Sequence, residues 1–206
     1  MKQFREPYNL IIAGVGGQGN ILASGLVGLA ATTAGYRVVV GETYGASQRG
    51  GSVMSHLRLS RHKEYGPLVP YGQADMIVAF EPLEALRVAS KYAYTETVVI
   101  TNTMPVYPVS VTLNEADYPE TDNILKAVKS MVKELYILDA TALARAAGDP
   151  RVQNIIMVKA LADNCCQPVE RQYFETALVE FLENVSSEQR EINRLAFELE
   201  VQPEKY

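Results

Sequence analysis

The chain has 206 residues, 48% of them hydrophobic, with 24 acidic against 19 basic side chains and a formal net charge of −5. That length suits one α/β domain, residues 1–206, with a substantial core, and the acidic balance offers no electrostatic footprint for a polynucleotide. The longest apolar runs, such as VVITNTMPVYPV and MIVAF, fall well short of the roughly 20 residues that span a bilayer, and MKQFREPYN lacks the apolar stretch of a secretory signal. A cytoplasmic protein with no nucleic-acid or membrane partner is therefore expected.

YNLIIAGVGGQG (8–19) reads as a buried strand running into a glycine loop. NILASGLVGLAATTAGY follows with apolar residues at helical spacing, Ile21, Leu22, Leu26 and Leu29, and a stop at Gly35. RVVVGET (37–43) is a second strand, so the chain opens as strand, loop, helix, strand, the unit that generates parallel sheets. Further strands are expected at SVMSHLRLS, ADMIVAF, TVVITNT and LYILDAT, and helices at PLEALRVASKY, NILKAVKSMVKE, TALARAAG, RQYFETALVEFL and SSEQREINRLAFELE. This alternation predicts a doubly wound, mostly parallel α/β sheet of Rossmann-like form, with helices on both faces and further helices at the C-terminus. Only TMPVYPVSVTLNEADYPETDN (103–123) breaks the rhythm, as an irregular excursion or an added hairpin.

Gly14, Gly16 and Gly19 have the G-x-G-x-x-G spacing between a strand and a helix. Such a loop lets backbone N–H groups approach a phosphate at a helix N-terminus, or simply lets helix and strand pack closely; the spacing leaves both open. Glu42, ending the second strand, stands where an acid would bind a ribose hydroxyl, which makes an autonomous nicotinamide-nucleotide enzyme the alternative reading. The next segment does not continue as a dinucleotide fold normally would, into a crossover helix. In GETYGASQRGGSVMSHLRLS (41–60), Gly45, Gly50 and Gly51 interrupt regular structure, and Ser47, Gln48, Arg49 and Ser52 carry donors and acceptors to the C-terminal edge of the sheet. Arg49 beside two glycines suits a phosphate or carboxylate, or a structural ion pair.

No self-sufficient catalytic set appears: there is no G-x-S-x-G elbow and no Walker loop. The two cysteines, Cys165 and Cys166, are adjacent, too few for an iron–sulfur cluster and badly placed for a mutual disulfide. With only His56 and His62 besides, no metal set stands out. His56, on a strand-like run, reads as structural rather than as an acid or base. Glu81, before Pro82, stands at the site-bearing edge or caps a helix, and Tyr44 suits contact with a partner.

GVGGQGNILASGLVGLAA, GETYGASQRGGSVMSHLRLS and ADMIVAFEPLEAL together resemble the gamma-type subunit of 2-oxoacid:ferredoxin oxidoreductases, most closely the small subunit, often called beta, of the indolepyruvate enzyme. The similarity continues through LDATALARAAGDPRVQNIIMVKALA and NRLAFELE and is weakest across 103–123. It implies a catalytically dependent subunit that packs against subunits carrying thiamine diphosphate and iron–sulfur clusters. The assembled enzyme would oxidatively decarboxylate a 2-oxoacid, pass electrons to ferredoxin and give an acyl group to coenzyme A. Gly14, Gly16, Gly17 and Gly19 match the family's glycine loop, and Arg49, Gly50, Gly51 and Ser52 its Arg-Gly-Gly-Ser loop. The resemblance gives both a role in intersubunit docking, with a subsidiary one in orienting substrate or coenzyme A phosphate. The pyruvate-type members carry an acidic residue and a valine before Arg-Gly-Gly; Ala46, Ser47 and Gln48 here favour an aryl-pyruvate type. Self-association of the isolated chain stays open.

Overall fold

The computed structural model describes residues 4–44, 50–164 and 166–206, with the side chains of Tyr44 and Val109 excepted. β1 (Tyr8–Val15) is buried along its whole length, as expected for a strand covered on both faces. It leads through the glycine loop into α1 (Asn20–Thr33), whose end is closed by Gly35 at φ +84°. β2 (Arg37–Tyr44) and β3 (Ser52–Ser60) follow, then β4 (Met76–Ala79), α2 (Pro82–Tyr92) and β5 (Val98–Asn102). The remaining elements are α3 (Val109–Thr112), α4 (Thr121–Met131), β6 (Glu134–Leu138), α5 (Ala140–Ala146), α6 (Gln153–Ala162), α7 (Arg171–Phe181), α8 (Ser187–Glu198) and β7 (Glu204–Lys205).

The seven strands form one sheet in the order β2-β3-β1-β4-β5-β6-β7. β1, β4, β5 and β6 are parallel neighbours; β3 is antiparallel to both β1 and β2, and β7 to β6. Two antiparallel pairings in succession return β2 to the direction of β1, so five strands run one way and the sheet is mostly parallel, as expected. The immediate partner of β1 is corrected, however. β3 lies between β1 and β2, in the place where a dinucleotide fold sets its second parallel strand. The excursion after β5 holds a single short helix, α3, and no hairpin. β7, two exposed residues long, had no pattern to announce it.

Alternation along β1 divides the core. Leu10 and Ile12 join Met76, Val78 and Ile100 against α1, α6 and α7, while Ile11 and Ala13 join Ile77, Ala79 and Val99 against α2 and α4. Both faces are thus sealed by helices, and chemistry is left to the sheet's edges. Among the described residues no helix is long and apolar enough to cross a membrane.

Candidate functional site

The glycine loop and the start of β3 meet at the C-terminal end of β1, because antiparallel register sets Val15 opposite Ser52. The pairing continues past the strands: Gly16 N donates to the Gly51 carbonyl at 2.8 Å, and Gly50 N donates to the Gly16 carbonyl at 3.3 Å. Two segments separated by about thirty residues of sequence are therefore one structure. Arg49, together with Gly45, Ser47 and Gln48, lies outside the described residues, as does Cys165.

The glycines divide by environment. A Cβ on Gly14 would meet Gln18 Oε1 and Asn20 Oδ1, each at 2.8 Å, and one on Gly19 would meet Asn154 Nδ2 at 2.5 Å. Those two glycines make room for side-chain amides. Gly17 (φ +107°) and Gly50 (φ +74°) have left-handed backbones and nothing among the described residues within 4 Å of an added Cβ. Close packing and open sides are both present in the motif, at different positions.

A cleft of about 470 Å³ opens beside the loop, lined by Gly16, Gly17, Gly19, Asn20, Ile21, Glu42 and Val53. The N-terminus of α1, capped at Gly19 by no side chain and with no acid in its first turn, faces this region. Ile21 is 60% exposed there, and Asn20, although buried, leaves its Oδ1 without a hydrogen-bond partner. Glu42 is held on the cleft wall by Ser24 Oγ at 3.0 Å and Ser55 Oγ at 2.6 Å, one hydroxyl on each carboxylate oxygen. It is therefore built into the wall, on a strand displaced from β1 by β3. The reading of Glu42 as a ribose ligand, and with it the autonomous nicotinamide enzyme, is not supported.

Ser52 is exposed and donates to Glu84 Oε2 at 2.5 Å; Arg87 NH1 donates to the other oxygen of Glu84. Glu84 is buried in the first turn of α2. Its backbone N–H donates to Glu81 Oε2 at 2.8 Å, so Glu81 is the N-cap expected from Pro82. Glu81 Oε1 accepts from Tyr118 Oη and, at 3.4 Å, from Val106 N. Burial raises the pKa of the Glu81 carboxyl, and the Tyr118 hydroxyl opposes that shift. The N-terminus of α2 thus connects Ser52 of the motif to the excursion after β5.

A further polar cluster lies on the same edge. The Phe80 carbonyl accepts from Gln18 Nε2 at 3.1 Å, Asn102 Nδ2 at 3.2 Å and Gln153 Nε2 at 3.3 Å. Thr141 Oγ1 bridges the cluster, accepting from Asn102 at 3.1 Å and donating to Gln153 Oε1 at 2.9 Å. Sequence reasoning missed this set, since Gln18 stands between conspicuous glycines and no spacing rule joins residues 18, 102, 141 and 153. His56 is buried on β3 against Tyr92, with Nδ1 accepting from Val69 N at 3.3 Å. Burial lowers its pKa, and it stands away from the cleft as a structural residue. Among the described residues no group of three or more His, Cys, Asp or Glu side chains could hold a metal ion.

Loop, strand start and capping helix converge at one sheet edge, the arrangement of an α/β protein whose glycine motif works jointly with an inserted antiparallel strand. The profile of the pyruvate ferredoxin/flavodoxin oxidoreductase family matches residues 9–202, and the chain belongs to that family. It is 40% identical over 202 residues to the indolepyruvate oxidoreductase subunit IorB of Thermococcus kodakarensis, covering 97% of each chain. It is 37% identical to the IorB subunit of Pyrococcus horikoshii, again over 97% of each. Among solved structures, the gamma subunit of a keto/oxoacid ferredoxin oxidoreductase from Geobacter sulfurreducens shares the fold with a TM-score of 0.63 at 23% identity, over 92% of this chain and 94% of that one. The 2-oxoglutarate:ferredoxin oxidoreductase of Magnetococcus marinus contains the fold within a longer chain, with a TM-score of 0.71 at 20% identity, over 94% of this chain and 30% of that one.

Proposed function

We propose that this chain is the non-metal subunit of a 2-oxoacid:ferredoxin oxidoreductase that acts on indolepyruvate or a related aryl 2-oxoacid. The observation that carries this reading is end-to-end identity of 37–40% to proteins named as indolepyruvate oxidoreductase subunits. The reaction converts the 2-oxoacid and coenzyme A into acyl-CoA and carbon dioxide, releasing a proton and a pair of electrons that ferredoxin accepts. Thiamine diphosphate supplies carbanion stabilisation for such a reaction, and iron–sulfur clusters supply one-electron transfer. The clusters belong on partner subunits, since two adjacent cysteines are the only thiols here and cannot furnish four cluster ligands.

What this chain contributes is a shaped edge. Exposed Ile21 and the open sides of Gly17 and Gly50 form a surface for a partner subunit to cover, which supports docking as the main role of those two glycines, while Gly14, Gly16, Gly19, Gly51 and Ser52 hold that surface in shape through their contacts. A subsidiary contact with a phosphate of coenzyme A or a substrate carboxylate falls to Arg49, since Glu42 on the cleft wall disfavours an anion seated within the cleft itself. Arg49→Ala, co-produced with the partner subunits, is expected to fold normally and to weaken assembly or turnover at least about tenfold. Wild-type turnover in fully assembled Arg49→Ala enzyme would remove Arg49 from the site.

A further inference from the structure

Parallel pairing of β1 with β4 ends in an unusual way. Through Ala13 and Ala79 the ladder is regular, and Phe80 N still donates to the Ala13 carbonyl at 2.8 Å. The next rung of a parallel ladder would run from Val15 N to the Phe80 carbonyl. Val15 N donates instead to Gln18 Oε1 at 2.7 Å, while Gln18 Nε2 donates to the Phe80 carbonyl at 3.1 Å. The side-chain amide occupies the place of a rung, accepting where a carbonyl would and donating where an N–H would. Its orientation follows from chemistry, since Val15 N–H requires an acceptor and Phe80 C=O a donor.

We propose that Gln18 is a positioning residue for the reaction: its carboxamide is a wedge that holds β1 and β4 one amide apart at the C-terminal edge and so fixes the glycine loop. Four neighbours support the wedge. The bare Cα of Gly14 makes room for its carbonyl oxygen, Asn102 and Gln153 share its acceptor, and Gly16 is pinned to Gly51 on the other side of β1. Asn102 also accepts from Ala140 N at 3.0 Å, so the wedge ties the loops after β1, β4, β5 and β6 into one rigid edge. The open Gly17 is thereby presented at a set height for whatever the assembled enzyme places there. Aliphatic or carboxylate replacements break this in distinguishable ways. Methionine fills the space without either hydrogen bond. Ionised glutamate keeps the acceptor and sets an anion against the Phe80 carbonyl; protonated glutamate restores a donor.

The proposal rests on the subunit reading, and its test separates the two. Full-length wild type, Gln18→Met and Gln18→Glu would be co-produced with the partner subunits and assayed per assembled complex for 2-oxoacid-dependent viologen reduction at about pH 8 and about pH 6. In parallel, hydrogen exchange of residues 14–20 would be followed in the chain alone. Both variants are expected to lose at least about tenfold in turnover at both pH values. Both variants are expected to exchange faster in the loop. Wild-type turnover of Gln18→Glu at about pH 8, a loss wholly explained by failed assembly, or unchanged loop exchange would each overturn the wedge. An inactive wild-type complex would overturn the subunit reading, and loop exchange would still decide the role of Gln18.

Discussion

At Gly19 two constraints act together: the backbone is left-handed, with φ +84°, and any Cβ would lie 2.5 Å from Asn154 Nδ2. Gly17 carries only the first, with φ +107° and nothing among the described residues within 4 Å of an added Cβ. Gly19→Ala should therefore lower stability by about 2–4 kcal/mol, from backbone strain and from displacing Asn154, and Gly17→Ala by about 1–2 kcal/mol. Thermal or denaturant unfolding of the two variants would check that order, and an equal loss at both would contradict it. In the sequence these glycines look alike, because G-x-G-x-x-G spacing records where Cβ is absent and not what fills the space. Gln18 shows the same limit. A glutamine among glycines has no signature as a strand wedge, and its acceptor at Phe80, shared with Asn102 and Gln153, comes near only when the sheet forms. Glu81 is easier to read, since a carboxylate directly before proline has a local role as an N-cap.

Among the elements, α2 has the most to hold. Its first turn carries two buried carboxylates, one bonded to Ser52 at the start of β3 and the other to Tyr118 and Val106 of the excursion. The Tyr118 hydroxyl is the side-chain donor to Glu81 Oε1, and removing it leaves a buried carboxylate oxygen with one long backbone bond. Tyr118→Phe is expected to cost about 1–3 kcal/mol and to speed proteolytic cleavage within residues 103–118 while β1 to β4 stay folded. Unchanged stability and cleavage would show that the excursion is held by other contacts. Periodicity makes most elements legible, since helices such as α2 and α4 alternate apolar and polar faces, β4 is a continuous apolar run and β1 and β5 are largely apolar. The antiparallel direction of β3 is less visible. The glycine-rich segment announces that no crossover helix follows β2, but the insertion of β3 between β1 and β2 is a matter of long-range pairing that strand propensity does not encode. β7 is too short for any periodic pattern.

For the molecule as a whole, the fold supplies a sealed core and one elaborated edge, and the edge gathers groups suited to positioning. Its amides, glycines and structural carboxylates orient neighbouring segments. The most direct test of the central claim is to tag the chain in its native host, purify it without oxygen, and record the co-purifying polypeptides with the visible spectrum. The subunit reading predicts a larger partner at fixed stoichiometry, with bound thiamine diphosphate and broad iron–sulfur absorption; a colourless chain recovered alone would contradict it.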